Sequence, residues 1–182
     1  MPGSGQQRGS AQQLAALGML SALALALSFL ESLIPFQLGL PGVKLGLANL
    51  VIVFALYRMD PHSALLINIA RILLAGLLFS GLFGILYSAA GAAASLAAMT
   101  FLLRINRKRE QAGKSCLFSI YGISMTGGVF HNLGQLVIAI LFLSNLNLVY
   151  YLPVMILSGI VTGLVNGMIA RLLLNKIPSG RF

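Results

Sequence analysis

Acidic side chains are nearly absent from this chain of 182 residues: Glu31, Asp60 and Glu110 are the only three, and they fall on different predicted elements. Prenyl-diphosphate chemistry needs clustered carboxylates to hold magnesium, so no such catalytic centre is legible here. The single cysteine, Cys116, excludes an internal disulfide and a multi-cysteine metal site, and reads as a packed apolar residue. A phosphate loop is incomplete as well. Gly113-Lys114-Ser115 would need a glycine five positions earlier, where Lys108 stands. A serine or cysteine nucleophile served by His131 would have no acid nearby to orient that base. The expectation is a protein that is not an enzyme, with no cofactor and no metal.

Charge of either sign is scarce. Only 8% of residues are charged, against roughly 25% in ordinary soluble domains. Hydrophobic residues make up 58% of the chain, and the mean hydropathy is +0.95. The chain is therefore an all-α integral membrane protein. Its length holds about six helices of the roughly 20 apolar residues that cross about 30 Å of hydrocarbon, leaving no room for a soluble domain. The pattern predicts spans over about 13–34, 43–57, 62–80, 85–103, 116–143 and 151–174, within a single membrane domain at 13–175. Residues 1–12 are expected to form a flexible tail, and 176–182 a short C-terminal one. The polar positions do not recur between halves, so an inverted repeat is not supported.

The net charge of +9 would suggest nucleic acid in a soluble protein, but its distribution points to topology instead. Arg8, Arg58, the run from Arg104 to Lys114, Arg171, Lys176 and Arg181 fall on one side of the predicted bundle, and only Lys44 on the other. By the positive-inside rule this makes a six-transmembrane-helix bundle with N and C termini cytoplasmic, multi-pass in the cell membrane, with the lipid bilayer and not nucleic acid as its partner.

The least lipid-like stretch is 35–50, PFQLGLPGVKLGLANL, with two prolines, three glycines, Lys44 and Asn49. Proline and glycine end the first span, and a new helix opens at Gly42-Val43-Lys44. Arg71 is predicted near the bilayer midplane, where a charge must be paired or wet. Asn68 shares its helical face. Asn49 is predicted at similar depth on the neighbouring helix, and His131 and Gln135 lie one turn apart on the fifth span. Lys44, Asn49, Asn68, Arg71, His131 and Gln135 thus make a candidate ligand-binding set for a small anionic or polar molecule. The competing readings are structural: Arg71 held by backbone carbonyls, interhelical hydrogen bonds for the amides and the histidine, and a Glu31–Lys44 pair at the outer surface. Two small-residue stripes, Gly18, Ala22 and Ala26 on the first span and Gly159, Gly163 and Gly167 on the last, mark faces that neighbours can approach closely. Thr126-Gly127-Gly128 is expected to interrupt the fifth span.

At Gly42-Val43-Lys44-Leu45-Gly46-Leu47-Ala48-Asn49, preceded by Leu30-Glu31-Ser32-Leu33-Ile34-Pro35, the chain resembles the Gx transporter family, also called heptaprenyl diphosphate synthase component I. That family is similar to the substrate-binding S components of energy-coupling factor (ECF) transporters. The resemblance spans about 14–174 and implies a six-helix bundle of ECF S-component type. It implies capture of a small-molecule substrate from outside, with a transmembrane coupling (T) subunit and two ATPase subunits as partners. Gly18, Ala22 and Ala26 match the face that meets the coupling subunit in such proteins. A noncatalytic membrane subunit associated with isoprenoid or quinone (heptaprenyl diphosphate) biosynthesis is the alternative.

Overall fold

In the computed structural model, residues 4–33 and 46–177 are described, with side chains from residue 11 onward. Lys44, most of the proline- and glycine-rich loop, and residues 178–182 lie outside them. Among the described residues the fold is all helical: α1 (Ser4–Leu33), α2 (Leu47–Arg58), α3 (Pro61–Ala75), α4 (Gly81–Gln111), α5 (Ile120–Leu143) and α6 (Leu152–Lys176). A π-helical turn, Gly76–Ser80, links α3 to α4, and a 3₁₀ segment, Leu146–Tyr151, precedes α6. The first helix begins at Ser4 and so takes in most of the stretch expected as a tail.

Six separate spans are not what the described residues present. Four stretches are long and apolar enough to cross a membrane: Ala11–Leu33, Pro61–Gln111, Ile120–Leu143 and Leu146–Lys176. Outside these four stretches, α2 has 12 residues, a rise of about 18 Å against about 30 Å of hydrocarbon. Pro61–Gln111 is one helical stretch of 51 residues, but it is not straight. Gly81 has φ 67°, ψ −176°, outside helical space and open to glycine. Beyond it α4 returns along α3, so that Ile85 packs against Gly76. Large side chains such as Leu77, Leu82, Leu141 and Leu157 stand exposed on the outside, as a lipid-facing surface requires. The chain is a multi-pass membrane protein.

The short α2 is the centre of the bundle. Ala48, Asn49 and every residue from Val51 to Leu56 are buried, packed against α1, α3 and α6. On α1 the inward face is Ala16, Leu20, Ala24, Ser28 and Glu31, recurring every three or four residues. The opposite face leaves Gly18, Ala22 and Ala26 exposed. At the foot of α3, Asp60 caps the helix by accepting from the backbone N–H of His62 (2.8 Å) and Ser63 (3.0 Å). The Ser63 hydroxyl, also donating to it, is the main reason its carboxyl is held below the usual range.

The glycines of α5 and α6 join the other half of the bundle. Helix α5 runs unbroken through Thr126-Gly127-Gly128, so these residues do not interrupt it as expected. They bring helices together instead: a Cβ on Gly128 would stand 2.2 Å from the Gly159 carbonyl oxygen, and one on Gly163 2.6 Å from Met125 Cα. Cys116 is a second correction. It is exposed in the loop after α4, its thiol donating to Glu110 at 2.9 Å, because the basic run extends α4 to Gln111 and carries this loop beyond the bundle.

Candidate functional site

Two polar clusters are buried in this apolar bundle, and Gly46 joins them. The first lies between α1 and α3. Arg71, only 8% exposed, donates from Nη2 to Asn68 Oδ1 at 2.9 Å and from Nη1 to Ser28 Oγ at 3.3 Å. Glu31, equally buried, is the charge that acts on it. A guanidinium at this depth is tolerable because a counter-charge and two hydrogen-bond acceptors offset its desolvation. Glu31 is therefore no outer-surface group, and its carboxylate accepts the backbone N–H of Gly46.

Gly46 sits at φ 70°, ψ 31°, the left-handed region that glycine enters without a Cβ penalty. That conformation points its two peptide groups in useful directions. Its N–H reaches Glu31 on α1, while its carbonyl accepts from Asn166 Nδ2 on α6 at 2.9 Å and from the Asn49 backbone N–H at 2.9 Å. The entry to α2 is thus tied to the first and last helices at one residue.

The second cluster surrounds a small cavity lined by Gly46, Asn49, Gly128, His131, Asn132, Thr162 and Asn166. Helices α2, α5 and α6 supply it, and the glycine contacts of α5 with α6 set its floor. Asn132 and Asn166 spend their amide N–H groups on backbone carbonyls, Met155 at 2.8 Å and Gly46, which leaves their oxygens as acceptors. Asn49 Oδ1 accepts from Ser95 at 3.4 Å, while its Nδ2, buried, has no partner among the described residues. The cavity therefore offers the Asn49 amide N–H as an unspent donor and the oxygens of Asn132 and Asn166 as acceptors, and His131 is the one titratable side chain in its lining.

Asn49 and His131 are brought together at the cavity, and Asn68 and Arg71 in the first cluster. Gln135 is fully buried beside His131 where both press on Gly91 of α4, and its amide has no partner among the described residues. Lys44 falls outside the described residues. Sequence reasoning missed Ser28, Ser95, Asn132 and Asn166. Asn132 and Asn166 carried the same signal as Asn49, a polar amide in an apolar span; the serines gave none, because serine is common at helix contacts.

A bundle of membrane-crossing helices enclosing a polar interior defines a class of membrane protein with a buried site. Residues 20–173 match the family described as heptaprenyl diphosphate synthase component I, and the chain belongs to that family. No match was found among curated proteins, and none among solved structures.

Proposed function

We propose that the protein is the substrate-binding component of an energy-coupling factor type importer, capturing a small polar molecule from outside the cell. The observation that carries this reading is the pair of buried polar clusters meeting at Gly46, where the loop after α1 enters α2. A subunit serving only as a scaffold has no use for buried, incompletely paired amides, each of which costs stability where it stands. The ligand set is Lys44, Asn49, Asn68, Arg71, His131 and Gln135, both termini are cytoplasmic, and the uptake energy comes from partner ATPases.

Support for a coupling partner comes from α1. Gly18, Ala22 and Ala26 are exposed, and beside them Met19, Leu23, Phe54 and Leu173 line a wholly apolar groove. Small residues on a membrane-facing helix let another helix approach closely. The alternative, a noncatalytic partner in heptaprenyl diphosphate synthesis, is favoured by the family's description, which names one component of such a synthase. Affinity purification of the full chain from its native membrane separates the two. Recovery of a transmembrane coupling protein with ATPases supports import, whereas recovery of a prenyl synthase without them overturns it.

A further inference from the structure

A groove unconnected with the polar interior runs along the outside of the α3–α4 hairpin. It is open along its length and offers about 690 Å³ of space beside the two helices. Its floor is a stripe on α4, Ala93, Ala97 and Phe101, faced by Leu65 of α3. The same stripe continues at helical spacing into Arg104 and Lys108, with Arg107 beside them, and Phe101 and Arg104 line both the groove and the basic hollow beyond it. Apolar wall gives way to cationic rim along a single helix face.

The charge balance marks this end as a lasting cationic rim. Its two acids, Asp60 and Glu110, hydrogen-bond to the start of α3 and to Cys116, and the five basic residues from Arg104 to Lys114 outnumber them.

We propose that this groove binds one anionic phospholipid, with an acyl chain against Ala93, Ala97 and Phe101 and the phosphate on Arg104, Arg107 and Lys108. The order of chemistry along α4 is the order of chemistry along such a lipid, tail then phosphate. Basic side chains at a membrane surface draw anionic headgroups, and a groove beside them selects one lipid from the surrounding annulus.

Native mass spectrometry of the full chain, released from nanodiscs of equal parts phosphatidylglycerol and phosphatidylcholine, tests this. The wild type should retain one phosphatidylglycerol in preference to phosphatidylcholine. At about a factor of five for each basic side chain, the triple substitution Arg104→Gln, Arg107→Gln, Lys108→Gln should reduce that preference on the order of a hundredfold. Ala97→Phe, at an exposed position with every charge intact, should abolish the bound lipid by filling the groove. Equal retention of the two lipids by the wild type would overturn the proposal. So would unchanged retention in Ala97→Phe, which would reduce the effect to surface charge. Displacement of the lipid by millimolar inorganic phosphate would make the rim a soluble-anion site and overturn it equally.

Discussion

Replacing Gly128 by alanine should separate helix packing from helix propensity, because another glycine in the same bundle provides the control. An added Cβ at Gly128 meets the Gly159 carbonyl oxygen at 2.2 Å and the Gly159 carbonyl carbon at 3.1 Å. Both obstacles are backbone atoms, so no rotamer change relieves them, and α5 must move from α6 by about 1 Å to restore ordinary contact. Overpacking of this kind costs about 1–3 kcal/mol, which corresponds to a fall in unfolding midpoint of roughly 2–12 °C for a chain of this size. Gly18→Ala meets nothing within 4 Å and should leave the midpoint unchanged or slightly raised. Thermal unfolding in one detergent, followed by the loss of the monodisperse peak in size-exclusion chromatography, compares the two directly. Equal midpoints for Gly128→Ala and the wild type would refute the claim that α5 and α6 meet backbone to backbone.

Arg71→Ala should destabilise the protein by about 3–5 kcal/mol, because Glu31 is left buried without its counter-charge. Adding Glu31→Gln, whose amide oxygen can still accept from Gly46, should recover most of that loss in thermal unfolding without restoring ligand binding. Leucine at Gly18, Ala22 and Ala26 together should block copurification of coupling partners while leaving the thermal midpoint within a few degrees of wild type; intact complexes would remove α1 as the docking face. Hydrogen bonding to Glu110 holds the Cys116 thiol above its ordinary range, so its alkylation by iodoacetamide should rise only at higher pH than for a free thiol. Glu110→Gln should move that profile to lower pH, and an unmoved profile would show the contact to be irrelevant.

Hydropathy made the membrane class and most helix positions legible, since apolar runs of this length have few other uses. What composition could not show was which small-residue stripe faces protein. The stripe on α1 is exposed and that on α6 is buried against α5, although both read alike as four-residue repeats. The amount of apolar sequence did not reveal that α2 is short and central, because a wholly buried helix and a lipid-facing one are equally hydrophobic. Arg71 and Asn68 stood out through the cost of polarity in hydrocarbon, and their mutual contact follows from three-residue spacing on one helix. Glu31 was placed at the surface because its position near a helix end suggested a wet environment. Its burial depends on Gly46, fifteen residues further on, turning back to meet it, a tertiary contact that no local pattern announces.

The central claim is that the interior holds a ligand, and the most direct test is mass spectrometry of small molecules released from gently purified protein. The comparison sets the wild type against Asn49→Leu and against the Glu31→Gln, Arg71→Ala pair. A compound of low molecular mass present in the wild type and absent from both variants is the predicted result. A wild type that releases nothing after exposure to native growth medium, or one whose bound compound persists in both variants, would contradict it.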